Sequence, residues 1–480
     1  MNREDLYEAA GHIEEDILAR SEGPRRPRRG RWLGVAAAVV ALAVVGGVLL
    51  WPGGSPLVTT AYAVREAAYP ETVAYPNEED YLDPATGILD DAFSEAYDAW
   101  WASRQARQQP EGYADSLAAF WEKCLPALLG GQAGENAVCS PLNLYLALGM
   151  LAELTAGDTR QQILDLLGAE SLEALRTQAR QVWQGHYWQD GISASTLASS
   201  LWLEEGLPFR EDPLDTLAEA YYASTYQADL GSEEGNQALQ TWLRDQTGGL
   251  LEDQAGSVTL SPDTLLALAT TLYFQDRWAQ EFPKSTTQPG TFHALAGDQT
   301  CDFLRSDWTE TYYWADHFAA VGKDLVSGGT MWFLLPDEGV AAEDLLTDPQ
   351  TAAFLQAGGA WENQRDLVVH LAIPKFDLSA RTDLTQGLRE MGLTQVLDPG
   401  EADFSPLTEE PLWLGQARQD VRVAIDEEGV TAAAYTVMEM AGATAPPEEE
   451  VDFVLDRPFL FAVTSQDGLP LFVGIVHQPG

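Results

Sequence analysis

Apolar residues recur every three or four positions from Asp90 to Gln109 and again from Tyr113 to Leu129, which predicts two helices. Helical spacing dominates up to about residue 260. Beyond it the chain turns to strand-like runs such as LVVHLAIPKFDL, VRVAI and LFVGIVH. That order of elements predicts an α+β fold with a large sheet. Upstream, residues 1–22 alternate charged and apolar groups at helical spacing, and PRRPRRGR then leads into an uncharged run from Trp32 to Trp51. The run has the length and the flanking tryptophans of a membrane-crossing helix, and the arginines orient it with residues 1–31 in the cytoplasm. Residues 52–87, rich in Pro, Gly, Tyr and acid, read as a linker, with the folded domain over 88–480. The expected placement is therefore a single-pass cell-membrane protein with its C-terminal domain extracellular. Secretion after cleavage near Ala61-Tyr62-Ala63 is the alternative.

The stretch Ile425 to Pro447, IDEEGVTAAAYTVMEMAGATAPP, has a different pattern. After Gly429, a residue free to take backbone angles closed to others, every second position is apolar or small: Val430, Ala432, Ala434, Thr436, Met438 and Met440. The period is that of a strand, yet the stretch lacks bulky anchors and ends in two prolines that a central sheet would reject. It reads as an exposed loop with strand potential. A short Ala-rich helix and an ordinary edge strand are the alternatives.

Composition narrows the function. With 27 Lys+Arg against 74 Asp+Glu the net charge is −47, and residues 1–31 are balanced, so residues 32–480 carry all of it. Such a surface repels phosphate and sulfate polymers, which excludes nucleic acid and heparin-like glycans as partners. Cys124, Cys139 and Cys301 are too few and scattered for a disulfide framework or metal cluster and read as reduced core residues. No HExxH, GxSxG, Walker, GxGxxG or CxxC motif is present, so no enzyme activity, cofactor or metal is expected. His370 reads as a core histidine within a strand, and Glu448-Glu449-Glu450 as a solvated acidic turn.

Four separated blocks resemble the serpin family, in the family's order, over roughly residues 110–480. The first is NAVCSPLNLYLALGMLAELTAGDTRQQILDLLG (136–168), where Ser140 and Pro141 also make good helix-capping chemistry. The second is LYFQDRWAQEFPKSTTQPGTF (272–292), with Trp278, Phe282 and Thr287. Ile373-Pro374-Lys375-Phe376, Asp383-Leu384 and Ala402-Asp403-Phe404-Ser405 follow, and the closing strands carry Asp456-Arg457-Pro458-Phe459 and Leu471-Phe472-Val473-Gly474. The chain is similar to a membrane-anchored, bacterial-type member.

The resemblance implies helices around a large, mainly antiparallel central sheet, with smaller sheets and an exposed reactive-centre loop. It makes Glu427, Glu428, Gly429, Val430, Thr431, Ala432, Ala433 and Ala434 the hinge of that loop, and Ala443–Thr444 the bond a protease attacks. It also implies a polar cluster under the sheet from Ser140, Asn143, Thr270 and Gln419, the last three replacing the family's usual Ser, Asn and His. Val430 and Tyr435 depart from the residues common in inhibitory members. The implied activity is suicide inhibition of elastase- or subtilisin-like serine proteases by insertion of the cut loop into the sheet. The alternative is a non-inhibitory binding or sensing ectodomain on the same fold.

Overall fold

An uninterrupted apolar helix sits at the centre of the molecule. Ser140 caps Pro141–Leu154 by accepting the Asn143 amide at 3.4 Å, and all fourteen residues of the helix are buried. A helix apolar on every side belongs inside a protein. Its buried Glu153 accepts two 2.8 Å hydrogen bonds from the Arg176 guanidinium and one at 3.1 Å from the Tyr221 hydroxyl, so the carboxylate is paired. The computed structural model describes residues 36–45, 62–83, 88–130, 134–249, 251–357, 359–430, 447 and 449–479.

Strands run in chain order as β1 (Ala36–Val45), β2 (Ala63–Arg65), β3 (Ala137–Cys139), β4 (Trp188–Gln189), β5 (Ala194–Glu204), β6 (Ala223–Ala228), β7 (Thr264–Arg277), β8 (Gln288–Ala294) and β9 (Gly297–Trp314). They continue as β10 (Phe318–Asp324), β11 (Thr330–Pro336), β12 (Gln364–Pro374), β13 (Phe376–Asp383), β14 (Trp413–Ile425), β15 (Gly429–Val430), β16 (Glu450–Val454), β17 (Phe459–Thr464) and β18 (Pro470–Val476). Among the described residues they form two nine-stranded sheets, both mixed and mostly antiparallel. The central sheet has the order β13-β14-β1-β7-β5-β6-β2, with β15 on β7 and β4 on β5. The second has the order β16-β12-β9-β10-β11-β17-β18-β3, with β8 on β9. The class is α+β, in line with the pattern of the chain, although β5 and β6 interleave with helices in the half that reads as helical.

β7 shows why its stretch became the middle of a sheet. Its sequence TLLALATTLYFQDR is nearly continuous in apolar residues, as a strand covered on both faces must be. Leu266, Leu268 and Leu272 join the core around the helix Pro141–Leu154. Ala267 and Ala269 point the other way, into a second core with Leu239, Trp242 and Leu243 of the helix Glu233–Gln246. Each fully buried Leu contributes roughly 1.5–3 kcal/mol, so both faces hold the strand in register.

Three expectations need correction. The run expected to cross a membrane contributes β1, paired over all ten residues with β14 on one side and β7 on the other. Residues 32–35 and 46–51 of that run lie outside the described residues, and among the described residues no helix is long and apolar enough to cross a membrane. The single-pass helix and the cell-membrane placement built on it are thereby overturned. An uncharged run rich in Val suits the middle of a sheet as well as it suits lipid, and here two strand edges are available to it. His370 is no core histidine: its side chain is 39% exposed and bonded to Asp307 at 2.7 Å and Glu450 at 3.4 Å. Cys301 is only half-buried, whereas Cys124 and Cys139 are buried, and all three are free thiols.

Part of the expected linker is attached to the body. β2 pairs with β6, the Tyr69 ring stacks on Trp183 at 5.6 Å, and the Tyr75 amide donates to the Asp190 carbonyl at 2.8 Å.

Candidate functional site: the loop hinge and the slot in the central sheet

β14 ends at Ile425, and the chain then turns back on itself. The Asp426 carboxylate accepts the amides of Glu428 at 2.9 Å and Gly429 at 3.1 Å, and the Asp426 amide donates to the Gly429 carbonyl at 3.0 Å. This local turn brings β15 onto the end of β7, beyond Phe274, the last residue of β7 paired with β1. There Gly429 pairs with Arg277 and Val430 with Asp276, antiparallel. Val430 is fully buried.

Gly429 is required here for a different reason from the expected one. It is absent from the glycines with positive φ, so freedom of backbone angle is not what it supplies. A Cβ at this position would lie 2.4 Å from the Asp276 carbonyl oxygen and 2.6 Å from the Arg277 Cα, both rigid backbone atoms. Close approach of two strands fixes the residue as glycine.

The acidic hinge is held by specific partners. Glu427 accepts from Lys375 Nζ at 2.8 Å and from Thr287 Oγ1 at 2.9 Å, while its carbonyl receives the Phe282 amide at 2.9 Å. Partial burial works to raise the Glu427 pKa, but Lys375 and Thr287 outweigh it and hold the carboxyl below its ordinary range. Glu428 pairs with Lys284, and its carbonyl accepts the Trp278 amide at 3.2 Å. The Trp278 indole donates to the Asp426 carbonyl at 2.9 Å. Lys375, Thr287, Trp278 and Phe282 stood in the recognisable blocks of the sequence without an assigned role, and the structure bonds them to Asp426, Glu427 and Glu428.

Sequence reasoning missed Asp276. It is fully buried opposite Val430, accepting the Arg277 amide at 2.8 Å and the Ser327 amide at 3.3 Å. Desolvation pushes its carboxyl up to about 7, and the nearby Asp190 charge adds to the rise while the amides oppose it. The available signal was a lone acid near the end of a strand otherwise apolar on both faces.

The polar cluster comes together in part. The Gln419 amide on β14 clamps the backbone of Ser140, accepting from its N–H and donating to its carbonyl, each at 2.9 Å. Asn143 lies one turn into the same helix. Thr270 is on β7 with its hydroxyl buried and unpartnered among the described residues. Ala41 of β1 stands between them, opposite Gln419 on one side and Thr270 on the other. Thr431, Ala432, Ala433 and Ala434 of the hinge, and Ala443 and Thr444, lie outside the described residues.

β15 thus lies on the end of β7 just past the residues that β7 pairs with β1, and Gln419 of β14 clamps the start of the helix Pro141–Leu154. Comparison with known proteins identifies the family. The profile of the family described as serpin (serine protease inhibitor) matches residues 116–479, and the chain belongs to that family. It is 30% identical over 368 residues to Serpin-Z1C of Triticum aestivum, covering 72% of this chain and 91% of the relative. It is 28% identical to plasminogen activator inhibitor 1 of Bos taurus, covering 78% of this chain and 94% of the relative. These relatives are plant and mammalian, which gives the expected bacterial-type, membrane-anchored subtype no support. In fold the chain is similar to the thermophilic serpin tengpin in its native state, with a TM-score of 0.69, 23% identity, and coverage of 77% of this chain and 95% of that one.

Proposed function

We propose that this protein inhibits serine proteases of elastase or subtilisin type as a suicide substrate. In this reading the protease serine attacks the Ala443 carbonyl, the Thr444 amine leaves, and an ester joins the two proteins. The freed loop then enters between β14 and β7, in the place that β1 holds in the structure, carrying the protease with it before water can hydrolyse the ester. The observation that carries the reading is the hinge itself, since Gly429 and Val430 already pair with β7 in the direction an inserting loop needs. Insertion suits the sequence after Val430, in which alternate residues are apolar or small and the alanines cost little to bury.

The choice of target follows from Ala443. A methyl group leaves the acidic pocket of a trypsin-like enzyme unpaired and fills a chymotrypsin-like slot poorly, but it suits a small apolar pocket. The neighbours Ala441, Gly442, Thr444 and Ala445 are small as well. Incubation with elastase, subtilisin, trypsin and chymotrypsin, read by denaturing gel and by mass spectrometry of the released peptide, tests this. The expected outcome is cleavage after Ala443 and a denaturant-stable complex with elastase or subtilisin. A stable complex with trypsin alone rejects the target assignment.

A further inference from the structure

The strand β1 and an inserting loop compete for the same backbone. Gly429 opposite Arg277 and Val430 opposite Asp276 set an antiparallel register. Continued along β7 without a bulge, that register puts Ala432 opposite Phe274, Thr436 opposite Thr270 and Gly442 opposite Thr264. Those places are already taken, because β1 pairs Val45 with Phe274, Ala41 with Thr270 and Ala36 with Thr264. On its other edge β1 pairs with β14 from Trp413 to Val423, so both walls of the gap are satisfied. Each strand edge offers one set of amides and carbonyls, and a second strand cannot share it. Orientation separates the two occupants: β1 runs parallel to both neighbours, whereas a strand continuing from β15 runs antiparallel to β7.

We propose that residues 36–45 act as a built-in competitor for the loop-insertion slot. With β1 seated, a cut loop has no gap to enter. The ester is then hydrolysed and the protease released, so the chain behaves as a substrate. When β1 leaves, the gap opens and trapping proceeds. The seated segment, AAAVVALAVV, is uncharged and free of Pro and Gly, and its Val residues favour strand pairing on either edge. Sequence separation adds a means of control, since residues 46–61 join β1 to the first residues of the body and a cut there unties the competitor. This inference rests on the insertion mechanism proposed above.

The test uses the full chain and a full-length variant with Val39→Asp and Ala43→Asp. Val39 stands opposite Ala417 and Leu268, and Ala43 opposite Val421 and Leu272, all four of them buried, so a carboxylate at either place disfavours seating. Hydrogen exchange on the unmodified chain is expected to show amides 36–45 protected, and the variant to lose that protection. If the slot is free in about one molecule in ten, the variant should form the elastase complex about tenfold faster. A conservative control, Val39→Ile, is expected to trap as slowly as the parent. Equal trapping rates despite the loss of protection overturn the inference and leave the inhibitor reading intact. No stable complex from either chain, although both are cut in the loop, overturns the inhibitor reading and the inference with it. Unprotected amides 36–45 in the unmodified chain overturn the inference without any variant, so a variant that fails to fold leaves the test standing.

Discussion

Asp276 shows how one buried acid can set the pH response of a hinge. Its carboxyl titrates near 7 in the folded protein against an ordinary value of 3.8. Between those values the native state holds a proton that the unfolded state has lost, so stability falls as pH rises, by about 1.4 kcal/mol per pH unit from this group. Below pH 4 its contribution is complete, and above 7 it is gone. Asp276→Asn removes the titration while keeping an oxygen for the Arg277 amide. Denaturant unfolding at pH 5.5 and at pH 8 is expected to shift by about 2 kcal/mol in the variant's favour between the two conditions. A difference independent of pH would show that Asp276 does not titrate in this range. The surroundings that matter are Asp190, Arg277 and the Ser327 amide, none of which is near Asp276 in a helical or strand repeat apart from Arg277. That is why the sequence alone did not single the residue out.

At the scale of elements, β15 is two residues long, and in the proposed mechanism they set the direction and register of the inserting loop. Val430→Arg places a cation where the side chain is now fully buried opposite a buried carboxylate. Asp276 offers that cation a partner, yet the volume and desolvation still oppose insertion. The expected outcome is a protein cut by elastase at an undiminished rate but with few stable complexes, measured as the ratio of cleaved to complexed chain. A variant that inhibits as well as the parent would falsify insertion through β15. Elements with a clear period were legible in the chain: the helix after Ser140, β12, β14 and β18 all stand where spacing put them. β5 and β6 were not, because their runs ASTLASSLWLE and ASTYQA are set between amphipathic helices and are rich in Ala, Ser and Thr with few bulky β-branched residues. β1 was misread because length and absence of charge are the same requirement in lipid and in a doubly covered sheet. The cluster at Ser140 and Gln419 was legible only through resemblance, since the two residues meet across most of the chain's length.

At the largest scale, the net charge of −47 falls entirely on residues 32–480, where its self-repulsion opposes the folded state. Basic groups are used locally, as at Lys375 and Lys284 on the hinge, and leave the excess of acid unopposed. Mobile ions screen such repulsion over a Debye length of about 10 Å at 0.1 M. The melting temperature at neutral pH is therefore expected to rise by a few degrees between roughly 20 and 300 mM sodium chloride, followed by circular dichroism. A melting temperature that falls with salt would mean that attractive pairs, not the net charge, dominate.

The pairing of β1 with β14 also dictates an order of assembly. β1, the first strand among the described residues, is made long before the strand that forms one wall of its site, since Ala36 aligns with Trp413. During synthesis β1 emerges before both of its partners: Thr264 of β7 lies 264 − 36 = 228 residues after Ala36, and Trp413 of β14 lies 413 − 36 = 377 residues after it. Contacts of such high order close slowly, after the local helices and hairpins have formed. β15 and the stretch after it follow β14 directly in the chain, so the second wall of the site and the segment proposed to enter it are made together, when β1 and β7 are both already present.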